Sequence, residues 1–367
     1  MAEESRPRIE DHVVVGLSGG VDSAVAAALL IEQGYTVHGV ALLTWKAEGR
    51  EQDLSGVRDV AAQLGIPLTE KDLREQFYET VVQPFAEAYA EGATPNPCVF
   101  CNPDLKFAAL VEEANAVEAQ WIATGHYARV QHDPEGISHL LRAEARSKDQ
   151  SYALYRLTQR HLRRLQLPLG DVESKTRVRQ LAQRWHLPVA HADDSQDLCF
   201  VAAGAHSDLV ERLRPGAVRP GPIYDLSGRQ LGEHRGLHRY TVGQRSGLGI
   251  SSDGRLYVLA LRPADNALIV GSRSELATQT CLLRAVTFTV GEPPETEFQA
   301  SGRIRYRAPL TPVTVTLLGK TRARVEFQTP QFGVAPGQSL VIYSGEEVLG
   351  GGLIARTPAS DVPDIDL

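Results

Sequence analysis

The N-terminal half of the chain alternates short apolar runs with segments of helical periodicity. Val13 to Leu17 is a continuous apolar run, the pattern of a strand buried on both faces, and it leads into Ser18-Gly19-Gly20-Val21-Asp22-Ser23. Ala24 to Glu32 consists largely of strong helix formers, and Gly34 marks its end. Val37 to Leu43 repeats the strand pattern. Leu54, Val57, Ala61 and Leu64 form the stripe of an amphipathic helix closed by Gly65, and Trp121 to Thr124 predicts another short strand. This alternation predicts an α/β fold, a doubly wound parallel sheet with helices on both faces.

After about Leu213 the texture changes. Pro215, Gly216, Pro220, Gly221 and Pro222 crowd together, which places a domain boundary there. Beyond Cys281 the runs Leu282 to Val290, Gly302 to Arg307, Val313 to Leu318, Ala323 to Phe327 and Ser339 to Tyr343 read as strands, with turns at Gly319-Lys320 and Pro336-Gly337. The expected organisation is an α/β domain over 1–212, a small central domain over 213–278 and an all-β barrel over 279–367. No internal repeat is evident, and Ala359 to Leu367 reads as a loose acidic tail.

Composition narrows the class. At 367 residues with 43% hydrophobic and 23% charged, the chain is neither a peptide scaffold nor disordered nor collagen-like. No run approaches the roughly 20 apolar residues of a membrane span, and the opening MAEESRPRIEDH has no signal-peptide core, so the expected compartment is the cytoplasm. Four cysteines are too few for a disulfide scaffold and point to buried, metal-bound or chemically active thiols. Net charge is −7, yet Arg156 to Arg184 holds eight Lys/Arg against two acids and Arg303 to Arg324 six against none. Such runs fit either solvated faces or an anionic polymer.

Ser18 to Ser23 sits where a buried strand hands over to a helix. Free backbone N–H groups and the positive helix end there converge on one anion, Gly19 and Gly20 allow close approach, and the Ser18 and Ser23 hydroxyls add donors. Neither GxxxxGK[ST] nor GxGxxG is present, which disfavours a Walker-type kinase or a dinucleotide-binding enzyme. The SGGVDS segment resembles the signature of the PP-loop ATP pyrophosphatases, which implies cleavage of ATP to AMP and pyrophosphate with adenylation of a substrate oxygen.

Cys98 and Cys101 form a Cys-x-x-Cys that follows Thr94-Pro95-Asn96-Pro97, a stiff stretch expected to present both thiols from a loop. Such a pair can hold zinc, form a redox disulfide or ligate an iron–sulfur cluster. Cys199 follows Asp193, Asp194 and Asp197, which would raise its pKa. Adenylation creates an electrophilic carbon suited to a thiolate or persulfide, and two separated thiols allow one to carry sulfur and the other to resolve the linkage as a disulfide. Cys281 reads as a core residue.

Six segments in order resemble the tRNA-specific 2-thiouridylase family: SGGVDS; TPNPCVFCN with Leu105-Lys106-Phe107; Ala123-Thr124-Gly125-His126-Tyr127; Lys148-Asp149-Gln150-Ser151-Tyr152; Asp194-Ser195-Gln196-Asp197-Leu198-Cys199-Phe200; and Gly243-Gln244-Arg245 with Gly247-Leu248-Gly249. The resemblance implies ATP- and magnesium-dependent thiolation of the wobble uridine of glutamate, glutamine and lysine tRNAs. Sulfur would come from a cysteine desulfurase or a relay protein, with no membrane involved. It further implies Cys199 as the persulfide carrier and Cys101 as its catalytic partner. ATP-binding positions would be Gly16, Leu17, Ser18, Gly19, Gly20, Val21, Asp22, Ser23, Leu42 and Gly125, with His126 beside the nucleotide. Asn96, Pro97 and Cys98 would meet the target base, Lys148, Asp149, Gln150, Arg305 and Tyr306 the tRNA, and Gln338 is a further site position. Alternation of Arg303, Arg305 and Arg307 with Ile304 and Tyr306 independently predicts three guanidiniums on one strand face, suited to phosphates.

The chain departs from the family pattern where it has Cys98 in place of the Asp of some members, Ser246 where Lys is frequent, and a shorter stretch between Trp45 and Leu54. Cys98, Cys101 and Cys199 could instead hold a [4Fe–4S] cluster whose open iron carries sulfide. The same residues also fit a small-molecule PP-loop ligase with the β unit as a dimerisation module, or a noncatalytic tRNA-binding protein with a relict loop.

Overall fold

A computed structural model describes residues 11–45, 52–190, 198–201, 206–251 and 254–356; the acids Asp193, Asp194 and Asp197 and the tail after 356 lie outside the described residues. Among those described, no helix is long and apolar enough to cross a membrane.

Strand β1 (His12–Leu17) carries Val13, Val14 and Val15 at 0% exposure, as a central strand must when both faces are covered. Helix α1 (Val21–Glu32), strand β2 (Thr36–Leu43), helix α2 (Ser55–Leu64) and strand β3 (Leu68–Asp72) follow. Helix α2 ends where Gly65 turns left-handed at φ 66°, a conformation glycine adopts without a Cβ penalty. The five-stranded parallel sheet runs β3, β2, β1, Trp121–Ala123, Leu165–Gln166. Its order reverses between β1 and Trp121–Ala123, so a crevice opens at the carboxyl ends of those two strands. The alanine-rich α1 packs between this sheet and the helix Lys175–Arg184, whose Val178, Leu181 and Ala182 share its core.

A second sheet, in the order Tyr257–Arg262, Ala267–Gly271, Gly221–Tyr224, Gln230–His234, forms the middle unit. The C-terminal unit is a closed barrel of Ala277–Phe288, Glu297–Arg303, Thr311–Leu317, Arg322–Phe332, Ser339–Ser344 and Glu347–Ile354, sealed by pairing of the first with the last. The closing strand is absent from the expected ones because Gly350, Gly351 and Gly352 read as a breaker. A Cβ on Gly350 would stand 2.1 Å from the Thr287 carbonyl oxygen, so the seam closes only around glycine. The hairpin Ala128–His132 and Ser138–Arg142 of the α/β unit extends the barrel's sheet beside that strand.

Two expectations need correction. Cys98–Cys101 is a helical turn rather than a loop, continuing through wide turns at Asn102–Phe107 into the helix Ala108–Ala116. Asn96 Oδ1 accepts from the Cys98 N–H at 3.2 Å as a helix cap does, and Pro97, at φ −66°, is compatible with the helix it opens. The strand expected over Gly302 to Arg307 stops at Arg303. Arg305, Tyr306 and Arg307 lie on an exposed turn closed by Ala308 N–H to the Arg305 carbonyl, while Arg303 points inward at 7% exposure, so the three guanidiniums do not share a face.

Candidate active site

The loop after β1 is braced from within. Ser23 Oγ accepts from the Ser18 N–H at 3.1 Å and donates to the Gly20 carbonyl at 3.1 Å, and Ser18 Oγ accepts from the Gly20 N–H at 3.4 Å. Gly19 is left-handed at φ 77°, and no side chain caps α1, whose first N–H groups therefore remain available to an anion. Across the crevice lies Thr124-Gly125-His126. A Cβ on Gly125 would fall 2.6 Å from the Ser23 backbone nitrogen, so only glycine lets this wall approach the start of α1. Gly16 abuts Leu110 at the foot of the crevice, and Leu42 lies half-buried near the end of the neighbouring strand, its carbonyl accepting from Gln52.

Asp22 has partners that sequence reading assigned no role. The Lys175 ammonium lies 2.7 Å from its carboxylate, and Tyr127 Oη donates to it at 2.7 Å. Lys175 is 153 positions away, and nothing local to the loop announces it.

His126 stacks on Phe107 with ring centroids 5.9 Å apart, and its Nδ1 shares a hydrogen bond of 2.8 Å with Thr124 Oγ1. Burial, helped by the charge of Lys106, pushes its pKa down to about 3, so the imidazole is neutral. Lys106 is the group that connects this wall to the thiols. It acts on Cys98, Cys101 and Cys199 alike, and the three thiols, Cys101 first, hold its own pKa above the ordinary lysine value against the opposing effect of burial. The motif containing Lys106 is visible in the sequence, but its reach to Cys199 depends on tertiary packing.

Cys101 is 4% exposed and lies in an apolar cluster with Leu105 and Phe200, whereas Cys98 and Cys199 keep exposed surface. Burial pushes Cys101 up to about 12 and raises Cys98 and Cys199; Lys106 opposes the shift at each. Cys199 is anchored by its neighbour Phe200, whose ring meets Phe85 at 5.1 Å, Phe77 at 5.6 Å and Trp45 at 6.2 Å. The fold thus makes Cys199 a neighbour of Cys98 and Cys101, close enough for mutual electrostatic influence. Among the described residues, however, no three His, Cys, Asp or Glu side chains form a group that could hold a metal ion. A cluster needs thiolates gathered around one volume, and this arrangement does not fit it. Cys281 packs partly buried against the barrel core.

The positions expected to meet tRNA divide. Tyr306 and Arg305 are exposed, and Tyr306 lies near enough to Cys98 for the thiol to affect its ionisation. Lys148 and Gln150 are half-buried, Gln150 Oε1 accepting from the Tyr127 N–H at 2.9 Å. Asp149 does not present its side chain outward. Its carboxylate accepts from Arg142 Nε at 3.2 Å, Arg303 Nη1 at 3.4 Å and the N–H groups of Ala143 and Ser151 at 3.2 Å, which consumes its acceptor capacity inside the protein. Asn96 and Pro97 flank the thiol turn, and Gln338 Nε2 donates to the Thr94 carbonyl at 2.9 Å.

A parallel sheet with an anion cradle at its reversal point, a wall of Thr124-Gly125-His126 and two appended β units defines a PP-loop protein of the HUP class. Family models match along the chain: "tRNA methyl transferase HUP domain" over 11–203, "tRNA methyl transferase PRC-barrel domain" over 208–272 and "Aminomethyltransferase beta-barrel domain" over 278–354. The chain belongs to the tRNA-specific 2-thiouridylase family. It is 47% identical over 350 residues to the tRNA-specific 2-thiouridylase MnmA of Syntrophotalea carbinolica, spanning 94% of this chain and 98% of the relative. The protein of the same name from Roseiflexus castenholzii is 43% identical, over 94% of this chain and 99% of its own. That from Paracoccus denitrificans is also 43% identical, over 96% and 93%.

Proposed function

We propose that the protein is an ATP-dependent tRNA sulfurtransferase that converts the wobble uridine of glutamate, glutamine and lysine tRNAs to 2-thiouridine. The observation that carries this reading is the continuity of groups from phosphate cradle to sulfur: Gly125 rests on Ser23, His126 follows it and stacks on Phe107, and Phe107 ends the turns that continue from Cys98 and Cys101. Adenylation and sulfur transfer need such adjacency, because the activated base must meet its nucleophile before water does.

The cradle of Ser18 to Ser23 would hold the phosphates of ATP, and magnesium arriving with the nucleotide would shield their charge. The C2 oxygen of uracil attacks the α-phosphorus, and pyrophosphate leaves. The terminal sulfur of a Cys199 persulfide attacks C2, and AMP departs with the former C2 oxygen. Cys101, whose thiol gives up its proton to the departing 2-thiouridine, then attacks Cys199 Sγ, breaking the sulfur–sulfur bond and forming a Cys101–Cys199 disulfide. A thiol reductant restores both cysteines, and a cysteine desulfurase, directly or through a relay protein, reloads Cys199. Lys106 favours the ionised sulfur at each stage, and neutral His126 packs beside the nucleotide without adding charge.

The test is anaerobic incubation of the whole chain with unmodified glutamate tRNA, ATP, magnesium and a desulfurase with cysteine, followed by nucleoside mass spectrometry and iron determination on the same sample. Expected are 2-thiouridine, its loss in Cys199→Ser and Cys101→Ser, and activity independent of iron. Full thiolation by Cys199→Ser, or activity that tracks bound iron and acid-labile sulfide, would overturn the persulfide route.

A further inference from the structure

One residue outside the sites assigned so far is tied to both appended units. The Thr94 N–H donates to the Pro336 carbonyl at 2.8 Å, its carbonyl accepts from Gln338 Nε2 at 2.9 Å, and its hydroxyl donates to Thr241 Oγ1 at 3.1 Å. Two of these partners belong to the barrel and the third to the middle unit. All three polar groups of a residue in the α/β unit are therefore committed across unit boundaries.

The surroundings fit a joint rather than a chance touch. Gly337 sits at φ 91°, and a Cβ there would lie 3.0 Å from both Ala93 Cβ and the Thr94 nitrogen. Gly243 sits at φ 88°, where a Cβ would lie 3.1 Å from Gly333 Cα, so the middle unit and the barrel also meet backbone to backbone. Gln244 Oε1 accepts from the Thr241 N–H at 3.1 Å and fixes the residue that holds Thr94. The Gly243-Gln244-Arg245 segment thereby acquires a purpose: its glycine permits the approach and its glutamine braces Thr241.

Downstream, the chain from Thr94 to Cys98 has little slack. Pro95 and Pro97 have fixed φ and restrict Thr94 and Asn96 before them, and Asn96 caps the turn that carries Cys98 and Cys101. A shift at Thr94 is passed to the thiols instead of being absorbed.

We propose that Thr94 is a three-way joint through which the barrel and the middle unit set the position of the Cys98–Cys101 turn, with Gln338 and Thr241 as positioning residues for sulfur transfer. The proposal rests on the sulfurtransferase reading, and it gives Gln338, so far a site position without a role, a part to play through Thr94.

The experiment uses the full-length protein with Gln338→Ala, Thr94→Val and Thr94→Ser. Iodoacetamide alkylation of each cysteine is followed by peptide mass spectrometry without tRNA or ATP, and kcat and the KM for tRNA are measured separately. In Gln338→Ala, alkylation of buried Cys101 should rise about fivefold, the worth of one lost hydrogen bond. Its kcat should fall on the order of tenfold, as misplacement of a reacting group predicts, with KM for tRNA little changed. Thr94→Val should behave likewise, while Thr94→Ser, which keeps the hydroxyl, should match the parent. A raised KM with unchanged kcat and Cys101 alkylation would make Gln338 a tRNA contact and overturn the proposal, as would an equal rise at Cys281, which would mark general loosening. If no thiolated product forms under any condition, the sulfurtransferase reading fails while the alkylation pattern still decides the joint.

Discussion

The Lys175 ammonium lies 2.7 Å from the Asp22 carboxylate, one residue beyond the helix start that faces the phosphate cradle. A carboxylate so placed would repel an incoming triphosphate, and Lys175, with the Tyr127 hydroxyl, offsets that charge. Lys175→Met should raise the KM for ATP by about tenfold while leaving tRNA binding intact. Pyrophosphate release at varied ATP, alongside a tRNA binding isotherm, checks this; an unchanged KM for ATP would reduce the pair to a structural tie.

Lys106 opposes the burial that raises every thiol pKa in the site. Removing the positive charge raises those values further, so thiolate forms only at higher pH. In Lys106→Met the pH profile of Cys101 alkylation should move to higher pH, and thiolation should slow most at neutral pH. Lys106→Arg should keep the profile near that of the parent. Overlaid profiles for parent and Lys106→Met would show that the ammonium does not act on the thiols.

His126 is held neutral down to about 3 in the folded chain, whereas its ordinary value is 6.5. Between those values the unfolded chain carries a proton that the folded chain refuses. The stability this site allows is therefore intact above 6.5 and lost as pH falls toward about 3. His126→Gln should flatten the decline of the urea midpoint over that window. An equally steep decline in the variant would mean that other groups dominate acid unfolding.

Asp149 holds Arg303 and Arg142 inside the protein, and Arg303 Nε has no partner of its own among the described residues. Asp149→Asn leaves buried positive charge uncompensated and should cost about 3 kcal/mol in urea unfolding. Arg303→Met combined with Asp149→Asn should recover part of that loss. Because Arg303 lies just before the turn bearing Arg305 and Tyr306, tRNA affinity should fall with Asp149→Asn even where the protein is folded.

Much of this is legible from the chain. The valine run of β1, the glycine stop after α2 and the loop of Ser18 to Ser23 are local patterns, and each lies where periodicity and turn chemistry place it. What stays hidden depends on long-range packing. Lys175 reaches Asp22 from a distant helix, and Gly350 to Gly352 form a strand only because the barrel seam excludes side chains. Arg303 and Asp149 read as surface charges from their neighbours in sequence, but they neutralise one another across 154 positions. The Cys98 turn reads as extended chain because two prolines precede it, yet the second of them opens a helix.

Tyr152 and Tyr155 of the α/β unit share one buried cluster with Val341, Tyr343 and Val348 of the barrel, beside the hairpin that continues the barrel's sheet. During synthesis the nucleotide-binding half therefore cannot finish packing until the strands around Tyr343 and Val348 have left the ribosome.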